Sequence, residues 1–95
     1  MDKKVYEAMN DQINHELYSA YFYLAMSAYC ESENFSGAAR WLRVQAQEEQ
    51  AHAMKFYQYL IDRGEKLLFK PIAQPPLAFT SLKDVFAKVY EQRLS

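Results

Sequence analysis

The sequence predicts an all-α protein built as a long helical hairpin, an extended crossover and the start of a third helix. Three observations predict it. Only two glycines and three prolines occur in 95 residues, and half the chain is hydrophobic, a composition that suits one small helical domain over residues 1–95. Two long stretches repeat their apolar residues at alternating intervals of three and four, the period of a helix face. Between the second of these and a third, shorter one lies a segment holding all the prolines.

The first helix is placed over residues 4–32, a stretch without Gly or Pro. Tyr6, Met9, Ile13, Glu16, Ala20, Tyr23, Ser27 and Cys30 share one face, over a helix of roughly 40 Å at 1.5 Å per residue. Leu17, Tyr21, Leu24 and Ala28 form a second stripe beside it. A helix apolar around more than half its girth needs neighbours on two sides, which points to assembly between chains as well as packing within one. Eight Tyr and six Phe point the same way.

Residues 31–37 are polar and break the period, with Ser36 or Asn34 as the expected N-cap of the next helix. The second helix is placed over residues 37–63 and ends at Gly64, a residue suited to a left-handed C′ position. A connection this short makes the two helices antiparallel neighbours. Residues 64–80 then carry Lys70-Pro71, Pro75-Pro76 and apolar residues in no period, as expected of an extended crossover running the length of a bundle. Ser81 opens a third helix over residues 81–95, with Asp84 at its N3 position and Leu82, Val85, Phe86, Val89 and Tyr90 on its apolar face.

The second helix contains an anomaly. Ala38, Leu42, Gln45, Glu49, His52, Phe56 and Leu60 form its expected inward stripe, yet a carboxylate and an imidazole occupy the middle of it. An unpaired charge buried there costs several kcal/mol, on the order of what removing one partner of a buried ion pair costs. With the turn near residues 34 and 35, Glu49 lies about 22 Å and His52 about 26 Å along the second helix, and Glu16 about 28 Å back along the first. Two carboxylates and one imidazole therefore meet at one height. That donor set suits iron, manganese or zinc, with Glu16 and His52 as end-on ligands, and suits thiolate-seeking metals poorly. Tyr23, two turns beyond Glu16, reads as a hydrogen-bond partner of a ligand, a participant in electron transfer, or a plain core tyrosine. Glu48 faces away from the seam. His15 and Glu7 read as surface, Trp41 and the methionines as packing, and Tyr18, Tyr21 and Tyr29 as contacts.

Net charge near zero gives no argument for nucleic acid or an anionic membrane as partner. No apolar run is long enough to span a bilayer, and the N-terminal residues lack a signal-peptide core. A lone cysteine, Cys30, suits a reducing, cytoplasmic setting.

The segments Asn14-His15-Glu16-Leu17-Tyr18-Ser19-Ala20, Ala38-Ala39-Arg40-Trp41-Leu42, Gln47-Glu48-Glu49-Gln50-Ala51-His52 and Ser81-Leu82-Lys83-Asp84-Val85-Phe86 resemble the non-haem bacterial ferritins over nearly the whole chain. The resemblance implies a four-helix bundle with a long crossover, and ferroxidase chemistry in which a di-iron carboxylate centre oxidises Fe(II) with O₂ for iron storage and detoxification. It implies Glu16 as terminal carboxylate of the first iron, Glu49 as the bridging carboxylate, His52 as the histidine of the first iron, Tyr23 as the tyrosine beside the centre and Glu48 as ligand of an outer third site. Gln50 stands where haem-containing relatives have a Met, so no haem is implied. The family's glutamate for the second iron falls near position 93, where this sequence has Arg93, and Glu91 points elsewhere. One chain therefore supplies half a di-iron set. Two copies packed symmetrically complete the bundle and the ligand set, or the chain is a truncated ferritin subunit, with a cage if the natural chain is longer. The alternatives from other classes are a non-catalytic helical assembly module and a structural metal clamp holding a dimer.

Overall fold

A computed structural model describes residues 1–94 and contains three helices and, among those residues, no strand: α1 (Lys3–Ser32), α2 (Ser36–Asp62) and α3 (Leu82–Leu94). The all-α hairpin-plus-crossover architecture is the one the periodicities predict. The molecule is a rod of 47 × 21 × 18 Å, its long dimension set by α1. No helix among the described residues is long and apolar enough to cross a membrane.

The helix ends explain the tight turn. Asp2 caps α1, its Oδ1 accepting from Lys4 N at 2.7 Å. At the other end Asn34 adopts a left-handed conformation, φ 65°. Asn34 N then donates to Glu31 O (3.1 Å) and Phe35 N to Cys30 O (2.8 Å), the paired closing bonds of a Schellman end. Asn34 thus terminates α1 and does not start α2. Nor does Ser36, which lies inside α2; the residue at the N-cap is Phe35, and it offers no side-chain cap. The preference of Ser and Asn for N-caps points to the wrong residues here because Asn is also the non-glycine residue that best tolerates left-handed φ. Gly64, φ 71°, closes α2 in the same way, with Gly64 N to Ile61 O at 3.0 Å and Glu65 N to Leu60 O at 3.0 Å. Ser81 Oγ accepts from Asp84 N, and the Asp84 carboxylate accepts from Thr80 N, each at 3.0 Å, so α3 opens on a reciprocal cap.

The core-facing stripe of α2 is Ala39, Leu42, Ala46, Ala53 and Leu60, rotated slightly from the expected one. Alanines let the α1 and α2 backbones approach, and they displace Gln45 and His52 towards the open side of the pair. Ser27 Oγ stitches the hairpin by donating to Ala39 O at 2.7 Å. On α1, Ile13, Glu16, Tyr23, Ser27 and Cys30 of the expected face are buried, joined by Asn10, Ser19, Phe22 and Met26.

The crossover is laid along α1 by side chains, because it has no strand to pair with. Asn10 makes two bonds, Nδ2 to Leu68 O (3.0 Å) and Oδ1 from Leu68 N (2.9 Å). Asn14 Oδ1 accepts from Lys70 N at 2.9 Å, and Tyr6 Oη donates to Lys66 O. At the far end Phe79 is buried on Phe22 and Tyr29, with ring centroids 6.4 and 5.6 Å away. The crossover thus travels from one end of the rod to the other and delivers α3 beside the hairpin turn. There Val85 and Val89 join the core of Phe22, Met26, Ala39 and Leu42. A separate core of Ile13, Ala53 and Leu60 lies at the opposite end.

Replacing Asn10 by Ala removes both of its bonds to Leu68 and leaves Leu68 N without a partner, while Leu68 O keeps the bond from Asn14 Nδ2 at 3.0 Å. It is expected to destabilise the fold by about 1–3 kcal/mol and to speed proteolysis within residues 64–80. Urea denaturation with limited proteolysis checks both.

Candidate metal centre

Between the two cores the apolar packing is interrupted by ionisable groups. Glu16 is supplied by α1 between Ile13 and Tyr23, and Glu49 by α2 between Ala46 and Ala53. His52, one turn beyond Glu49, stands at the lip. The three offer ligand atoms that all lie within 4.8 Å of one another. His52 Nδ1 is 3.7 Å from Glu16 Oε2 and 3.8 Å from Glu49 Oε2. The Glu16 and Glu49 side chains are 11 % and 21 % exposed, and His52 is 52 % exposed. The imidazole expected within the seam is thus at its edge, for the reason given by the alanine stripe.

Glu16 is held from one side only. Gln12 Nε2 donates to its Oε1 at 2.7 Å, while the buried Oε2 has no hydrogen-bond partner. A buried carboxylate oxygen without a donor is costly unless a cation or proton serves it. Burial, and then the hydrogen bond and negative charge of Glu16, push Glu49 up to about 7 against the pull of Arg93. Burial also pulls Glu16 upward, but the adjacent Glu49 carboxyl, the hydrogen bond from Gln12 and the neighbouring His52 and His15 bring it below its ordinary value. The two carboxyls therefore share a proton, as closely placed acids do. A metal ion that replaces this proton restores both carboxylates to the charged form.

The remaining expected residues divide. Tyr23 is buried and lines the same cleft, of about 290 Å³, with Glu16, Glu49 and His52. Burial raises its hydroxyl pKa, and Arg93 works against that. Glu48 is exposed on the outside of α2 and is not brought into the group. Glu7 is exposed and 4.0 Å from Lys3. His15 is not simply surface: it is half-buried and lines the cleft. Trp41 is 40 % exposed and meets Phe86 across α2 and α3 at 5.9 Å. Gln12 and Gln92 were not singled out from the sequence, and Arg93 was noted there only as standing where the family has a glutamate. Gln12 was detectable in principle, since it lies one turn before Glu16 on the same face. Gln92, bonded to Ser19 at 2.9 Å, and Arg93 arrive only through the tertiary return of α3.

Residues 6–94 match the ferritin family's ferritin-like domain. The chain is similar to the bacterial non-heme ferritin of Staphylococcus aureus (strain USA300), at 41 % identity over 86 residues covering 90 % of this chain and 52 % of the relative. It is equally similar to that of Staphylococcus saprophyticus, with the same identity and coverage. Among solved structures, an open pore ferritin from the hyperthermophilic archaeon Archaeoglobus fulgidus superposes with TM-score 0.93 at 40 % identity, covering 99 % of this chain and 58 % of its own. A humanized archaeal ferritin gives TM-score 0.94 at 40 % identity, with 99 % and 57 % covered. The chain spans about half the length of the curated relatives it matches.

The shared proton gives a pH signature. Glu49 binds its proton more tightly folded than unfolded, where its pKa is near 4.5. Its stabilising contribution is therefore complete below about pH 4.5 and is lost as pH rises through about 7. Glu16, shifted the other way, acts below that window. In chelator-treated buffer, Tm is expected to fall by on the order of 5 °C between pH 5.5 and 8. Glu49→Gln should flatten that slope in thermal melts.

Proposed function

The chain belongs to the ferritin-like family, and from that membership and the cleft between its two cores we propose that it binds Fe(II) through Glu16, Glu49 and His52 and passes it to O₂ for oxidation. The observation that carries this reading is the buried Glu16 Oε2, which lacks a partner and faces Glu49 and His52. Fe(II) is the substrate here. Each ion yields one electron, and hard anionic oxygen donors favour the ferric product. The chain's own residues do the rest. Gln12 fixes Glu16 through Oε1 and leaves Oε2 free for the ion. Glu49 gives up the shared proton as the ion enters. His52, half-exposed at the lip, is the donor an arriving ion meets first. Tyr23, buried beside the carboxylates, serves as a hydrogen-bond donor to the bound ion's surroundings or as an electron relay. Glu48, exposed outside the cleft, is proposed as a ligand of an outer third iron position. No haem is part of this reading.

Reduction of O₂ by two electrons consumes two Fe(II), and the described residues bring together one carboxylate–histidine group. We therefore infer a homo-oligomer, a dimer at least, in which two chains supply the two irons of a di-iron centre. The exposed apolar surface supports self-association. Tyr21, Leu24 and Ile72 are 50 %, 48 % and 43 % exposed on an outer groove. On the inner face α3 covers only the half of the groove beside the turn, so Met9, Phe56 and Tyr59 line an open half next to Glu16 and His52. Surfaces of this kind associate in water. Cys30, free and buried, fits a reducing compartment such as the cytoplasm.

Anaerobic Fe(II) titration followed by admission of oxygen tests the reading. Ferric absorbance is expected to develop within minutes in the parent protein, while Glu49→Ala loses at least 90 % of the initial rate, an effect of roughly tenfold or more for a lost charged ligand. Equal rates with and without protein would refute it. Analytical ultracentrifugation of the same sample should give a mass of at least two chains.

A further inference from the structure

The cleft already contains a cation. Arg93, near the end of α3, lines it together with Glu16, Tyr23, Glu49 and His52. Its guanidinium is not loose. Arg93 Nη2 donates to Gln45 Oε1 at 2.6 Å, and the guanidinium carbon stands 5.4 Å from the centre of the Trp41 ring, within cation–π range. Its positive charge opposes the upward shifts of the Tyr23 hydroxyl and the Glu49 carboxyl. Contacts from α2 thus hold a permanent positive charge at the cleft.

Charge then limits occupancy. The residues lining the cleft include two carboxylates, Glu16 and Glu49; the other polar residues are Gln12, Ser19, Gln92, Tyr23 and the two imidazoles. With Arg93 the carboxylates leave a net charge of about −1. One divalent ion brings it to about +1. A second ion would bring it to about +3, in a partly buried site where like charges at such spacing repel by several kcal/mol. A buried Glu16 that is nine-tenths shielded and has an unserved oxygen calls for one cation, and no third carboxylate is present among the lining residues to hold another.

We propose that Arg93 makes the cleft a one-ion site, its guanidinium acting as a fixed second cation so that Glu16, Glu49 and His52 take a single divalent ion per chain. This rests on the metal-binding reading above and refines it: the cleft residues Glu16, Glu49 and His52 hold one ion. Arg93 is a positioning and charge-setting residue and is not a ligand.

Anaerobic titration with Co(II), followed by its visible absorption and by calorimetry on the full chain, tests the proposal. The parent protein is expected to saturate at one Co(II) per chain. Arg93→Gln should keep that stoichiometry and bind at least roughly tenfold more tightly, the effect expected of removing one nearby unit charge. Arg93→Glu, which adds a third carboxylate, should saturate at two per chain, with circular dichroism confirming unchanged helix content. Binding of two Co(II) per chain by the parent, or affinity unchanged in Arg93→Gln, overturns the one-ion assignment. Glu49→Gln separates the two levels: Co(II) binding that is absent in the parent or insensitive to Glu49→Gln defeats the metal site itself. Binding sensitive to Glu49 but indifferent to Arg93 defeats only the role of Arg93.

Discussion

Two carboxyl groups facing each other across a helix pair are the constraint on which this structure turns. Glu16 and Glu49 lie where a continuous apolar seam would otherwise run, and they divide the core in two. On one side Phe22, Met26, Leu42 and Val85 pack with Phe79; on the other Ile13, Ala53 and Leu60 pack with Met9 and Phe56. Neither carboxylate can be charged in isolation at this depth without a large desolvation cost. The folded chain must therefore supply positive charge or a proton to the gap. The guanidinium of Arg93 at the cleft is one answer, and the raised pKa of Glu49, driven first by its burial, makes a proton the other.

The rest of the fold sets how closely those groups meet. Ala39, Ala46 and Ala53 on α2 let the helices approach, so side chains projecting beside that stripe converge from the flanks. The turn is short because Asn34 closes α1 in a left-handed conformation and Phe35 begins α2 at once. This fixes the register in which Glu16 lies level with Glu49 and His52. A one-residue slip along either helix would rotate its carboxylate by about 100° away from the other. The Asn10 and Asn14 contacts to the crossover act at longer range. By tying residues 66–70 to α1, they commit the chain to a path that brings α3 back at the height of Ser19 and Gln45, with Gln92 and Arg93 at the cleft.

Much of this was legible in the sequence, for identifiable reasons. Helix period and the Gly64 stop depend on local chemistry, and the relative heights of Glu16, Glu49 and His52 follow from a constant rise per residue. The capping at Ser81 was equally local. What was not legible depends on a choice between two local options or on contacts distant in sequence. Asn34 could start a helix or end one, and only the three-dimensional turn decides. The inward stripe of α2 could pass through Gln45 and His52 or through Ala46 and Ala53, which differ by one position; close packing on α1 selects the alanines and leaves His52 at the lip. The Asn10 ladder to Leu68 spans 58 residues, and Arg93 meets Gln45 across 48. Nothing in the neighbourhood of either residue announces the partner.

The position of Arg93 changes what half-buried acids can do. With no counter-charge, two carboxylates at this spacing would both titrate upward, and the pair would be occupied by protons across much of the neutral range. Arg93 and the two imidazoles oppose that, so one carboxyl stays ionised while the other remains near its midpoint at neutral pH. On the metal-binding reading, such a pair exchanges a single proton for a cation with little rearrangement, because Gln12 already orients Glu16. On the proposed reading, the same guanidinium that opposes protonation of the pair also repels a second cation, and that charge is held in place by Gln45 and Trp41.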